Sequence, residues 1–247
     1  MDKRYNYKWN KMEWTIQARE LLKKMGKLPE ETTIGVILRH SHRYRIDDPT
    51  TSSSVKLTPM GIEFAKYFGS KLPKNRPIKI YHSIANRCIN TALGIETGLM
   101  GKNRKNAVLG NLKILYDLEA DGEFVASEMM KYTGFGFLNR WKEGYYSRDK
   151  IISFQEYCHR TGKKIWKMIS LANAGSIFLF ITHDLHLVAM MDGWFGMKPS
   201  NDWVSYLAGF AFTLEDDFLL YLDNNQVKRI EYPRWWISDN SKLKERR

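Results

Sequence analysis

Cysteine is scarce in this 247-residue chain, with only Cys88 and Cys158 present. Two thiols in a chain of this size do not make the disulfide framework of a secreted domain, so a reducing, cytoplasmic compartment is expected. No apolar run approaches the ~20 residues that span a membrane. The first residues, Met1-Asp2-Lys3-Arg4-Tyr5, carry charge with no apolar segment behind them, and no secretory signal is expected. Zinc-finger spacing, an RNP-type motif and a basic zipper are all missing, so nucleic-acid binding is not expected as the main function. No cluster of His, Cys and Asp has metal-ligand spacing, which predicts neither a metal nor a cofactor. No internal repeat is evident.

Hydrophobic residues make up 43% of the chain and the mean hydropathy is −0.46, which predicts a soluble globular protein with a substantial core. Lysine and arginine outnumber the acids 39 to 27, a formal charge of +12 that favours anionic partners such as phosphorylated metabolites. Much of this charge sits near the two ends, including the run from Lys242 to Arg247, where solvated tails are the ordinary reading.

Apolar spacing from Trp14 to Met25, stopped by Gly26, predicts a helix ahead of the core. Gly35 to Leu38 is the first core strand and runs straight into Arg39-His40-Ser41-His42-Arg43. After a polar loop, Thr58 as N-cap and Pro59 at the first helical position start a helix to about Leu72. Pro77 to Tyr81 is a second strand, and a helix from about Arg87 to Gly98 follows it. Leu112 to Leu118 is a candidate third strand.

From Asp121 to Tyr146 aromatics crowd the sequence, including Phe137, Trp141 and Tyr145; this segment is taken as an inserted helical cap with its own small core. Ile151 to Ala172 is helical, and Ile177 to Ile181 is the clearest buried strand, ending in Thr182-His183-Asp184. A helix follows, then three segments (206–213, 218–222 and 227–232) that predict antiparallel strands. Alternating strands and helices imply an α/β fold: a three-layer α/β/α sandwich with a mainly parallel sheet. The expected organisation is one domain over residues 1–247, with the cap inserted at about 120–150.

In an open α/β sheet, ligands bind at the carboxyl ends of the strands. Arg39, His40, Arg43, Arg87, His183 and Asp184 all fall there. Arginine is a permanently charged fork suited to phosphate, and histidine is a nucleophile that can be neutral near neutral pH.

The ordered set Arg39-His40-x-x-Arg43, Leu57-Thr58-Pro59-x-Gly61, Ser83-x-x-x-Arg87-x-x-x-Thr91-Ala92 and Thr182-His183-Asp184 resembles the histidine phosphatase superfamily. The match covers about residues 33–99 and 176–192, and it looks closer to the acid phosphatase branch than to the phosphoglycerate mutase branch. The resemblance implies a metal-independent phosphomonoesterase working through a phosphohistidine on His40. It implies that Arg39, Arg43, Arg87 and His183 hold the phosphoryl group, and that Asp184 is the general acid and then the base. A carboxylic acid in that role needs a raised pKa. The mutase-like branch takes its acid from mid-chain, where Glu119 and Glu123 are the alternatives. The implied partner is a phosphorylated small molecule or phosphoprotein; a phosphomutase or a phosphate-binding pseudophosphatase are the alternatives. One departure stands out: the family usually has glycine after the nucleophile, and here it is Ser41. The remaining histidines are expected to be structural or solvent-facing: His42 in a solvated loop, His82 at a strand end, His186 in packing, and His159 exposed.

Overall fold

A computed structural model describes residues 3–46, 53–73, 75–100, 106–198 and 203–237. The polar loop's middle and the basic run from Lys242 to Arg247 lie outside the described residues. Two helices, α1 (Lys3–Lys11) and α2 (Ile16–Met25), precede β1 (Ile34–Arg39). Then come α3 (Pro59–Lys71), β2 (Ile78–His82), α4 (Asn86–Leu99) and β3 (Asn106–Asn111). Helices α5 (Gly122–Lys142) and α6 (Phe154–Ser170) lead to β4 (Ile177–Thr182) and α7 (Asp184–Phe195). Strands β5 (Gly209–Leu214), β6 (Leu219–Leu222) and β7 (Val227–Ile230) follow.

The described strands form one sheet in the order β3-β2-β4-β1-β5-β6-β7. The pairs β2–β3, β2–β4 and β1–β4 are parallel, and β5, β6 and β7 continue the sheet antiparallel from β1. Strand alternation divides the core in two. Ile34, Val36, Leu38, Ile177, Leu179 and Ile181 point to the α2–α3–α4 side with Phe64, Phe68 and Ile95. Ile37, Phe178 and Phe180 point to the other side, against Trp166, Met190 and Phe195. The three-layer reading holds.

Helix starts follow the local chemistry. Thr58 caps α3 by accepting the Gly61 N–H at 3.0 Å, with Pro59 in the first turn. Helix α6 begins at Phe154 rather than Ile151, because Ser153 accepts the Glu156 N–H at 3.2 Å as an N-cap.

Two expectations need correction. Leu112 to Leu118 is not a strand: Lys113–Leu115 is a short 3-10 turn, and the edge strand is β3 just upstream. The apolar residues there serve burial instead; Leu115 is fully buried and its carbonyl accepts the Thr182 hydroxyl at 2.6 Å. The aromatics of 121–146 do not form a separate small core either. Phe137 and Trp141 are buried in one cluster with residues of α6 and α7, and the Trp141 indole donates to the Ile152 carbonyl at 2.7 Å. Helix α5 is also interrupted at Thr133, whose backbone is left-handed (φ 61°, ψ 175°).

Candidate active site

Register places the predicted residues side by side. Arg39 pairs with Thr182 across β1 and β4, and His82 pairs with Ile181 across β2 and β4. The His40 N–H then bonds the Thr182 carbonyl at 3.0 Å, and the Ser83 N–H bonds the Ile181 carbonyl at 2.9 Å. His40 and His183 therefore leave adjacent strands at one level, with ring centroids 5.6 Å apart and near edge-to-face. The order β4-β1 is where the crossovers reverse direction, the position at which open α/β sheets bind ligands.

His40 is buried, and its Nδ1 bonds the Ser41 carbonyl at 2.8 Å. A carbonyl only accepts, so Nδ1 carries the proton and Nε2 keeps a free lone pair. Burial, then the charges of Arg39 and Arg87, push its pKa well below the usual histidine value. His40 is therefore neutral at neutral pH, with the Nε2 lone pair not used by the Ser41 contact.

His183 is fixed on both sides. Arg87 Nη2 donates to its Nδ1 at 3.0 Å, which leaves the proton on Nε2, donated to Ser83 Oγ at 2.8 Å. Burial, then Arg87, holds it neutral as well. Arg87 sits in the first turn of α4, buried, where Thr91 on the next turn anchors the site loop: its Oγ1 accepts the Ser41 N–H at 2.9 Å.

Arg39 pairs with Asp184 (Nη2–Oδ2, 2.7 Å), donates through Nη1 to the Val204 carbonyl, and lies 4.5 Å from the Tyr206 ring centroid. Arg43 is half-buried and donates to the Tyr44 carbonyl at 2.8 Å; its charge reaches both His40 and Arg87. All six predicted site residues thus meet at one sheet edge.

Asp184 differs from expectation in its ionisation. Burial alone would raise its carboxyl, but Arg39, the Trp203 side chain and the Leu185 N–H outweigh burial and hold it below the ordinary aspartate value. In this arrangement it is a carboxylate. Its side chain keeps 28% exposure, enough to exchange protons with solvent. Among the mid-chain acids, Glu119 pairs with Arg148 and Arg160, which keep it ionised, and Glu123 stands in the exposed first turn of α5. Among the described residues, neither is hydrogen-bonded or ion-paired to a strand-end residue. The mid-chain carboxylate whose charge reaches a buried histidine is instead Asp117, which acts on His186 in α7. Sequence reasoning passed over it; its position two residues after buried Leu115 was the available signal.

The Ser41 side chain turns into the start of α3. It is fully buried, and its hydroxyl donates to the Gly61 carbonyl at 2.7 Å, inside the first turn of α3. His42 is not solvent-facing: it bonds Thr58 Oγ1 at 2.8 Å and stacks on Trp14 with centroids 5.7 Å apart. His82 is buried and bonds the Ser83 carbonyl. His186 is buried against Tyr157, whose hydroxyl lies 2.8 Å from its Nδ1. His159 packs on Trp235 at 5.0 Å. Among the described residues, no group of three or more His, Cys, Asp or Glu side chains is placed to hold a metal ion, and no helix is long and apolar enough to cross a membrane.

The sequence matches no family model and no curated protein. Solved structures do share its fold. A phosphoserine phosphatase of Entamoeba histolytica with bound phosphoserine is similar at TM-score 0.50 and 14% identity, covering 78% of this chain and 97% of that one. The YhfR protein of Bacillus stearothermophilus is similar at TM-score 0.52 and 16% identity, covering 74% and 92%. A mycobacterial hydrolase is similar at TM-score 0.52 and 12% identity, covering 85% and 97%. At these identities the likeness is one of fold alone.

Proposed function

We propose that this chain is a histidine phosphatase: a metal-independent phosphomonoesterase that passes the phosphoryl group through His40. The observation that carries this reading is the tautomer of His40. Its Nδ1–H is tied to the Ser41 carbonyl, and its Nε2 is left neutral among three arginines.

In the first step His40 Nε2 attacks phosphorus and the ester P–O bond breaks. The leaving oxygen takes a proton from Asp184. The new imidazolium keeps its Nδ1–H on the Ser41 carbonyl. Arg39, Arg43 and Arg87 supply the positive charge for the phosphoryl oxygens, and the His183 Nε2–H, turned from Ser83 Oγ on binding, adds a neutral donor; such charge stabilisation is the largest single contribution in this kind of transfer. In the second step Asp184 accepts a proton from water, the water oxygen bonds phosphorus, and the P–N bond breaks to release phosphate and neutral His40.

The acid must first gain its proton. A phosphate that recruits Arg39 takes away the cation that holds Asp184 ionised. Burial then dominates and raises the carboxyl toward protonation, so substrate binding itself prepares the acid. The Ser41 hydroxyl turns into α3 and leaves the strand-end arginines and histidines in place, and no observation favours the phosphomutase. The His183-Asp184 pair supports the acid-phosphatase-like branch. We also read the chain as one domain in which 120–150 is the variable insertion, acting on a phosphorylated small molecule in the cytoplasm, where free thiols such as Cys88 and Cys158 persist.

The test is phosphohistidine trapping. Labelled substrate quenched at alkaline pH should leave acid-labile phosphate on His40. His40→Ala should lose both the label and turnover while keeping its thermal midpoint. Full activity in that variant would overturn the mechanism.

A further inference from the structure

His40 leaves β1 between two neighbours of different chemistry. On the β4 side stands His183, held by Arg87. On the β5 side stands Tyr206, its ring 5.8 Å from the His40 ring and 4.5 Å from the Arg39 guanidinium. The turn that carries Tyr206 is fixed along its length. The Val204 carbonyl accepts Arg39 Nη1, and the Ser205 N–H bonds Gln17 Oε1 of α2 at 3.0 Å. The Leu207 N–H bonds the His40 carbonyl at 3.3 Å, and the Ala208 carbonyl accepts the Arg39 N–H at 2.8 Å. Leu207 holds a left-handed backbone (φ 56°) to make this turn.

Tyr206 belongs to a wall of rings. His42 meets it near edge-to-face with centroids 5.0 Å apart, and Trp14, from the turn between α1 and α2, does so at 5.7 Å. Trp14 and His42 in turn stack on each other at 5.7 Å and 23°. All three rings are half-buried, so part of each meets solvent. Across the site Ile84, in the turn from Ser83 to Arg87, is 50% exposed. Polar side chains of the same turns are engaged within the chain. The Ser41 hydroxyl is on the Gly61 carbonyl, Thr58 Oγ1 is shared between His42 Nδ1 and the Gly61 N–H, and the Asn86 amide donates to the Ser54 carbonyl at 3.2 Å. Among the described residues, these turns hold out to solvent rings and an aliphatic side chain around a cationic floor.

We propose that the site selects monoesters of aromatic alcohols, small aryl phosphates, with Tyr206 as the residue that recognises the ring. The inference rests on the phosphoryl-transfer reading above and names its substrate class. In that reading the leaving oxygen lies at Asp184, which Arg39 holds at 2.7 Å. The same guanidinium lies on Tyr206, so the group bonded to that oxygen emerges beside the wall. A flat ring there gains offset or edge-to-face contact with Tyr206. A sugar or glycerol phosphate would instead bring hydroxyls against rings, and a hydroxyl that gives up water without finding a partner weakens binding.

Phosphonates, which are not hydrolysed, read recognition apart from chemistry. Phenylphosphonate, cyclohexylphosphonate and 2-hydroxyethylphosphonate present one head group with a flat, a puckered apolar and a polar tail. Calorimetric titration of the full-length protein, at a pH where all three are dianions, should find phenylphosphonate bound about tenfold more tightly than 2-hydroxyethylphosphonate, since ring contacts are of that order. Cyclohexylphosphonate should fall between them. Tyr206→Leu keeps apolar bulk and removes the ring, so it should abolish the preference for phenyl over cyclohexyl. Equal affinity of the wild type for the phenyl and hydroxyethyl compounds overturns the proposal, and so does an undiminished phenyl preference in Tyr206→Leu. If that variant fails to fold, the wild-type ranking decides alone. Binding of none of the three overturns the phosphate-site reading itself, and the inference with it. The expected ranking without turnover of phenyl phosphate would uphold the aryl-phosphate site and remove the phosphatase.

Discussion

Placing a single methyl group at Gly61 tests how His40, the proposed nucleophile, is held. A Cβ there would lie 2.0 Å from the His42 carbonyl oxygen and 2.9 Å from its carbon. Carbon and oxygen in close contact stand ~3.3 Å apart, so the His42 peptide has to withdraw by about 1 Å. It has little freedom to do so. Its oxygen accepts the Thr58 N–H at 3.1 Å, and Ser41 donates to the Gly61 carbonyl at 2.7 Å. The displacement therefore passes along Ser41 to His40, whose own N–H is fixed on β4. A misplacement of ~1 Å can cost about 10²-fold in rate, and overpacking of this kind costs ~1–3 kcal/mol, or several degrees of melting temperature in a chain of this length. Gly61→Ala should thus phosphorylate His40 about 100-fold more slowly in a single turnover with nitrophenyl phosphate, and melt several degrees lower. A wild-type burst rate and an unchanged melt would refute the claim that the helix start seats the nucleophile loop.

Three further outcomes follow from the same geometry. Asp184→Asn should slow the first step on alkyl phosphates by ~10²–10⁴-fold but barely affect it on nitrophenyl phosphate, whose leaving group needs no proton; equal losses in rapid-quench kinetics would argue against proton donation. Burial lowers His186 from 6.5 to about 4, so the unfolded chain binds its proton more readily. Stability is then complete above pH ~6.5 and falls toward pH 4 by about 3 kcal/mol from this group, with His40 and His183 adding in the same direction; denaturant melts between pH 7 and 4.5 should show the loss, and a His186→Asn protein should show a shallower slope. Trp141→Ala should destabilise by ~3–5 kcal/mol in urea unfolding, because that ring is core packed on Phe154 and Tyr157, whereas Tyr145→Ala, at an exposed position, should leave the midpoint nearly unchanged.

The strand-end residues were legible because two local rules act together. An apolar β-branched run marks a buried strand, and parallel register brings the ends of such strands level, so Arg39-His40 and His183-Asp184 had to meet. Partners distant in sequence and without a pattern of their own were not legible. Ser41 finds its acceptor in Gly61, twenty positions on, and His42 is covered by Trp14 from a helix outside the motif. The edge strand β3 was missed because Asn106, Gly110 and Asn111 read as loop, while the apolar residues after it fill the core as a 3-10 turn. The charge on Asp184 was misjudged for the same reason. Sequence put Arg39 and Asp184 at one edge but could not say that they pair. That pairing has a consequence for ligand choice under the phosphoryl-transfer reading. In the free protein Arg39 is held by a carboxylate and Arg87 by His183. An entering anion must outcompete Asp184 for the Arg39 fork, and a phosphate dianion brings more charge and three oxygens to that exchange. A monoanionic diester would leave the ion pair closed and Asp184 unprotonated, so the same contact that holds the free site together favours monoesters.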